Sequence, residues 1–283
     1  MNNKIKVSIV ILNYNSWNVT INAIKNIEEI IVYDNLNVLI VDNCSSNDAY
    51  ERIDNYLKSS KLYGKYKLVG NKKNTGYAAG NNIGLRLSIE EGASYSLVIN
   101  NDILFTDPHS IEKMVDYLES NATIGAISPR IVSPDGFHDK PIYYRKPSFW
   151  DLSFGIKKYV NNIKLQNDEL VYEVYAPRGS CMMVRNDALA KIGLLDECTF
   201  LYYEEPILSE SLLSIGKKCV NFGYVSIIHN HAVTIKENVS RSKNRDYVVQ
   251  SMDYYLKKYR HFNWIERTIC SLIRKYAYLF SHK

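Results

Sequence analysis

The first hundred residues alternate between two hydrophobic periods, and that alternation constrains the fold more than any other feature of the chain. Ile5 to Leu12 is a continuous apolar run rich in Val and Ile, the pattern of a strand buried on both faces. From Val19 to Val32 the residues Ile21, Ile24, Ile27 and Ile31 recur at helical spacing. Val38–Val41 is again short and β-branched, and Asp48–Leu57 reads as a helix. Tyr66–Val69 reads as a third strand, Tyr77–Ile89 as a third helix and Tyr95–Ile99 as a fourth strand. Strand and helix at this cadence mean right-handed crossovers and a parallel sheet. Ligands of such sheets bind beyond the carboxyl ends of the strands. The loops there are Asn13–Trp17, Asp42–Asp48, Asn71–Gly76 and Asn100–Asp102, all crowded with Asn, Asp, Ser and Gly.

After Asp102 the rhythm changes. Asp107-Pro108 predicts a helix running to Ser120, with Asp as its cap and Pro in the first turn. Ile124–Val132 and the turn Pro134-Asp135-Gly136 predict an antiparallel excursion. Residues 137–170 mix aromatics, Lys and Asn without a period and predict a mobile loop region. Gly179–Val184 and Cys219–Ile228 read as strands, Asn186–Ile192 and Pro206–Ile215 as helices. His231–Ser242 is polar and predicts a flexible connection to two closing helices, Asn244–Tyr259 and Trp264–Phe280.

Composition narrows the function classes. With 46% hydrophobic and 23% charged residues the 283-residue chain has the apolar mass for a sizeable core, which excludes global disorder. A net charge of +5 is far from the basic stripe of a nucleic-acid binder, and no nucleic-acid partner is expected. The charge is uneven, because from Arg241 onward ten Lys and Arg face three acids, leaving the remainder slightly acidic. Five scattered cysteines predict free thiols in a reducing cytosol. The first apolar run is too short for a signal-peptide core, and no stretch approaches the ~20 apolar residues that span a bilayer. The chain is expected to be cytoplasmic, with any membrane contact peripheral.

Three common nucleotide motifs are missing. The turn after the first strand, Asn13-Tyr14-Asn15-Ser16-Trp17, holds no glycine, so the dinucleotide fingerprint is absent, as is a P-loop. The Gly-rich, Arg-containing loop of a sugar-nucleotide pyrophosphorylase is also absent from that position. Gly76, Gly80 and Gly84 recur at four-residue spacing, which predicts tight packing along one helix face.

The positive signals are five blocks in order. Val7-Ser8-Ile9-Val10-Ile11-Leu12-Asn13-Tyr14-Asn15 resembles the opening strand of glycosyltransferase family 2, and Val41-Asp42-Asn43-Cys44-Ser45-Ser46-Asn47-Asp48 its second-strand motif. Asn74-Thr75-Gly76-Tyr77-Ala78-Ala79-Gly80-Asn81-Asn82 is similar to a block of the bacterial polysaccharide branch, which includes rhamnosyltransferases. Leu97-Val98-Ile99-Asn100-Asn101-Asp102 lies where the family's metal-binding acidic motif ends the fourth strand. Gly179 to Val184, then Gly193 to Glu205, resembles the acceptor block that ends in an acidic pair.

The resemblance implies an α/β fold of the GT-A type, with a mostly parallel sheet covered by helices on both faces. It implies one catalytic domain over residues 1–230, with a nucleotide half to about 105 and an acceptor half after it. Residues 231–283 are then a flexible loop and an amphipathic helical extension. The implied activity is inverting, metal-dependent hexosyl transfer from a UDP- or dTDP-sugar to a glycan or polyprenyl-linked acceptor, in bacterial surface polysaccharide synthesis. A non-catalytic, glycosyltransferase-like subunit that binds nucleotide or a partner is the rival reading, supported by departures from the family pattern at Asn100, Glu205, Ile207 and Glu210.

A divalent cation, Mn²⁺ or Mg²⁺, would neutralise the leaving diphosphate. Asp102 is its expected ligand, against a loop Asp capping the next turn, and a His at the position of His229 reaches the diphosphate or metal in related enzymes. Leu12, Asn13, Asp42, Asn74, Gly76, Asn100 and Asn101 are expected to border the donor. Asp42 suits a base N–H or ribose hydroxyl, or an Asx turn with Ser45, and both roles are compatible. Asn74 and Gly76 are equally readable as helix capping. Glu205 is the expected general base and Glu204 its supporting neighbour. With Pro206 at the first helical position, Glu205 would be an N-cap, kept ionised by the positive helix end. The last helix carries Trp264, Ile265, Ile269, Leu272, Ile273, Tyr276, Leu279 and Phe280 on one face. That stripe suits either packing on the domain or contact with an anionic membrane.

Overall fold

The computed structural model describes residues 5–139, 141–155, 170–230 and 241–280. Its first half follows the sequence rhythm. Strands β1 (Val7–Asn13), β2 (Leu36–Asp42), β3 (Tyr66–Gly70) and β4 (Tyr95–Asn100) are joined by helices α1 (Trp17–Ile30), α2 (Ala49–Ser59) and α3 (Tyr77–Glu90). They pair in parallel in the order β3-β2-β1-β4. Six of the seven β1 residues are buried, so the continuous apolar run reflects a strand covered on both faces. The predicted tight face of α3 is present. A side chain at Gly80 would overlap Leu12, and one at Gly84 would overlap Val10. Their absence lowers α3 onto β1.

The second half extends the same sheet with mixed pairing. Its elements are β5 (Ile103–Phe105), α4 (Ser110–Ser120), β6 (Ile124–Val132), β7 (His138–Asp139), α5 (Phe149–Phe154), β8 (Val171–Val174), β9 (Cys181–Arg185), α6 (Asn186–Ile192), α7 (Glu204–Ser214) and β10 (Lys218–His229). The order continues β4-β9-β6-β10-β5, with β7 on β6 and β8 on β10. β10 pairs in parallel with β6, while β9 is antiparallel to both β4 and β6. The excursion after β6 is antiparallel, as its turn predicted. Helices α8 (Arg241–Lys258) and α9 (Trp264–Phe280) close the chain.

Several boundaries differ from the sequence reading. Helix α4 starts at Ser110 with His109 as N-cap rather than Asp107. The Asp107 carboxylate instead accepts from the His109 N–H at 3.0 Å and pairs with Lys113 at 2.7 Å. It therefore shapes the turn before the helix. Within the expected loop of 137–170 the structure has α5, closed by a capping box between Ser148 and Asp151. That helix is only six residues long, too short for periodicity to reveal. Residues 156–169 of the expected loop, and 231–240 of the expected connection, lie outside the described residues. All five cysteines are free, and among the described residues no helix is long and apolar enough to cross a membrane.

Candidate active site

Four parallel strands end on one rim. Asn13 is level with Asp42, Asp42 with Gly70, and Leu12 with Asn100. The order reverses between β1 and β4, and this switch point opens the crevice where α/β sheets bind ligands. Because β9 runs antiparallel to β4, its start arrives at the same rim. The Asn100 N–H donates to the Ser180 carbonyl at 2.9 Å. The Gly179 N–H donates to Glu205 Oε1 at 3.3 Å, and the Tyr77 hydroxyl donates to the Gly179 carbonyl at 2.5 Å. The dipeptide Gly179-Ser180 thus joins the end of β4, the first turn of α3 and the carboxylate of Glu205.

The β1–β3 side of the rim is a network of amides and hydroxyls. Buried Asp42 accepts from Asn13 Nδ2 at 2.7 Å, from the Ser45 N–H at 2.9 Å and from Ser45 Oγ at 2.6 Å. The Asx turn is therefore present. Asn13 Oδ1 accepts from Thr20 Oγ1 at 2.8 Å, so both ends of that amide are engaged within the protein. The amide of Asn101 turns inward as well, donating to Ser16 Oγ at 2.8 Å and Thr20 Oγ1 at 2.9 Å. Asn13 and Asn101 hold the loops, while half-buried Asn100 stands at the strand end and half-buried Leu12 faces α3.

Asn43 is the residue that sequence reasoning missed. It is buried, accepts from Asn71 Nδ2 at 2.9 Å, and donates to Asn74 Oδ1 at 3.0 Å and the Gly76 carbonyl at 3.1 Å. One side chain so ties the loop after β2 to the loop after β3. Asn is too frequent in these loops for the sequence to single it out. Asn74 Oδ1 also accepts the Gly76 N–H at 3.0 Å, which is the local capping reading. Gly76 has φ +86°, where L side chains are strained, and a Cβ there would overlap the Phe200 carbonyl. The close approach it permits is to the chain's own backbone at Phe200, whose carbonyl accepts from the Tyr77 N–H at 2.9 Å.

Asp102 and His229 are brought together. Pairing of β5 with β10 sets His229 opposite Ile103, and His229 Nε2 lies 3.1 Å from Asp102 Oδ1. Both side chains are buried. Among the described residues no group of three or more His, Cys, Asp or Glu could hold a metal. One carboxylate and one imidazole still form a donor set that suits a divalent cation taking its other ligands from phosphate and water.

The acidic pair sits differently from expectation. Helix α7 begins at Glu204, and its N-cap is Tyr203, so Glu205 lies inside the first turn and Pro206 third in the helix. The first four N–H groups of a helix have no intrahelical partner, which lets Pro occupy any of these places. Burial pushes Glu204 up to about 8, with the charge of Glu205 as second cause, and its buried Oε1 has no hydrogen-bond partner among the described residues. Glu205 is raised too, by burial, against the lowering effects of its own backbone N–H, Arg178 and the Gly179 N–H. The helix end therefore does not by itself keep Glu205 in the ordinary carboxylate range; desolvation outweighs it.

The approach to this pair is strained and braced. Tyr202 and Tyr203 have φ of 73° and 68°, two consecutive left-handed non-glycine residues. Four successive residues before Glu204 are held by α8. Phe200 stacks on Tyr247 at 4.6 Å between centroids, and Ser251 Oγ donates to the Leu201 carbonyl at 2.8 Å. The Tyr202 hydroxyl donates to Asn244 Oδ1 at 2.8 Å, and Tyr203 packs on Tyr255 at 5.6 Å. The departures at Ile207 and Glu210 have structural accounts. Ile207 joins a core cluster with Met252, Tyr255 and Leu256, and Glu210 accepts from Tyr175 at 2.6 Å and pairs with Lys146 at 2.5 Å.

Comparison with known proteins identifies the family and the fold. The family model described as Glycosyl transferase family 2 matches residues 8–193. The hexosyltransferase Agl10 of low-salt glycan biosynthesis in Haloferax volcanii is 26% identical over 232 residues, covering 80% of this chain and 68% of that protein. Among solved structures, the mannosyltransferase PcManGT from Pyrobaculum calidifontis, in complex with GDP-Man and Mn²⁺, aligns with TM-score 0.62 at 15% identity. That alignment covers 97% of this chain and 70% of PcManGT. GalNAc-T7 with UDP, GalNAc and Mn²⁺ aligns with TM-score 0.65 at 14% identity, covering 98% of this chain and 55% of its own. These likenesses identify the GT-A-type fold.

Proposed function

The chain belongs to glycosyltransferase family 2, and from that premise we propose that it is an inverting hexosyltransferase using a UDP- or dTDP-sugar. The acceptor is a lipid-linked glycan of a cell-surface polysaccharide, which sets the reaction at the inner face of a membrane. One observation carries the reading: Gly179-Ser180 links the strand end at Asn100 to the Glu205 carboxylate, on the rim that also holds Asp42 and the Asp102–His229 pair.

Glu205 accepts the proton of the acceptor hydroxyl as that oxygen attacks the anomeric carbon and the bond to the diphosphate breaks. Burial raises its proton affinity above that of an ordinary carboxylate, which suits a general base. Asp42 receives the nucleoside through the acceptor capacity its Asx turn leaves, and Asn100 hydrogen-bonds sugar or ribose. Asp102 and His229 would hold a divalent cation, which when bound supplies charge neutralisation for the leaving diphosphate. Asn13 and Asn101 position these groups through their inward hydrogen bonds.

The test is thermal stabilisation of the purified chain by a panel of nucleotide sugars with Mn²⁺. A true donor at ~100 times its dissociation constant adds ~2.7 kcal/mol. Asp102→Ala is expected to stay folded while losing both the Mn²⁺ dependence of this shift and turnover. Shifts and transfer that survive EDTA and Asp102→Ala alike would overturn the metal assignment, and no shift with any nucleotide sugar would overturn the donor reading.

A further inference from the structure

Helix α9 is mounted with its large apolar side outward. Its domain-facing side carries buried Cys270, Arg267 in a two-pronged ion pair with Asp253 at 2.8 Å, and Arg274 reaching over Gly155 of the α5 end. Ile265, Ile269, Leu272 and Tyr276 share the opposite face and are exposed, Leu272 by 61% and Tyr276 by 67%. Trp264 adds 72% exposure at the start of the helix. On α5, which packs against α9, Trp150 and Phe154 are also exposed and stack at 6.0 Å. Among the described side chains of the stripe, Ile273 is half-buried and the others are exposed, so packing on the domain covers only its edge. The side chains of Leu279 and Phe280 lie outside the described residues.

We propose that this face of α9, with Trp150 and Phe154, docks in the interface of an anionic lipid membrane. The chemistry selects lipid over a second copy. From Arg241 to Phe280 nine Lys and Arg stand against three acids, and while Arg267 and Arg274 turn to the domain and Lys258 pairs with Asp196, Lys257 and Lys275 are exposed. Two such regions pressed together repel, whereas anionic headgroups attract them. Trp and Tyr with an apolar body and a polar tip suit the headgroup level, and a 17-residue helix that does not span can lie in the interface. The helix that carries this face is tied to the acceptor side through one neighbour, since α9 packs on α8 and α8 braces Phe200 to Tyr203. Docking deepens the reading of a lipid-linked acceptor, on which its purpose rests, while the surface itself is independent of the donor site.

The experiment is flotation of the full chain with vesicles of phosphatidylcholine alone or with about a third phosphatidylglycerol. Wild type is expected to float with the anionic vesicles and to be released by high salt. The double substitution Ile269→Glu with Leu272→Glu should reduce partitioning ~10-fold or more at an unchanged circular dichroism spectrum and melting temperature. Leu272→Phe should retain it, and Lys275→Glu should weaken it several-fold. Wild type that stays at the bottom with both vesicles overturns the proposal, as does equal flotation of the double variant. A concentration-dependent dimer abolished by the double variant also overturns it, in favour of a second copy. Nucleotide-sugar stabilisation measured on the same preparations separates the two readings: its loss with flotation intact sinks the transfer reading alone.

Discussion

The two sides of the rim are built on opposite terms. On the donor side, Asn13 and Ser45 bond Asp42, Asn43 bonds Asn74, and Asn101 bonds Ser16 and Thr20, so these side chains are engaged within a loop or between neighbouring loops. On the acceptor side, two adjacent carboxylates are desolvated, one oxygen of Glu204 has no partner among the described residues, and two tyrosines hold left-handed backbone. A satisfied network rigidifies a binding surface, whereas buried charge and strain raise the free energy of a group that is to react. The second side persists because α8 packs against it.

The sharpest way to break the comparison is to remove basicity without changing shape. Glu205→Gln is expected to lower the transfer rate by ~10²–10⁴ with donor affinity nearly unchanged. Glu204→Gln should cost less, and Glu205→Asp should retain part of the activity. Steady-state kinetics against donor and acceptor decide it; the opposite order would shift the base by one residue. Near-normal rates in both Gln variants would leave the mechanism without its proton acceptor.

The joint between the two sides is the next target. Gly76→Ala places a Cβ against the Phe200 carbonyl at a φ that L residues avoid. A loss on the order of 3 kcal/mol in denaturant unfolding is expected, together with a lower transfer rate. Wild-type stability in this variant would show that the segments are not locked together.

The smallest expected effect sharpens the contrast through pH. Glu204 is raised when folded, so the native state binds the extra proton and stability falls as pH rises from the ordinary carboxylate range to about 8. Glu204→Gln should flatten that slope and raise the melting temperature at pH 8 by a few degrees. A slope unchanged by the substitution would assign it to other groups.

Much of the donor side was legible because its determinants are local. Apolar period, turn residues and the position of Asp42, Asn100 and Asp102 at strand ends act over a few residues, and strand pairing then aligned them on one rim. The Asx turn of Asp42 needs only Ser45, three residues on. The acceptor side was legible in identity but not in setting. That Tyr203 rather than Glu205 caps α7 depends on αL backbone held by Tyr255, more than fifty residues away. Desolvation of the acidic pair, which outweighs the helix end, likewise comes from packing by segments distant in the chain.

What the sequence by itself determined is the set of short-range decisions: strands buried on both faces, helices of one period, glycines that lower α3 onto β1, and polar strand ends. Tertiary structure alone decided which faces meet. The apolar stripe of α9 is evident from spacing, but periodicity is blind to direction. The pairing of Arg267 with Asp253, the fit of Arg274 over Gly155 and the burial of Cys270 against Met252 turned that side inward and the apolar stripe out. Spacing along one helix records that two faces differ; which one is buried depends on the surface opposite, and that surface comes from residues far along the chain.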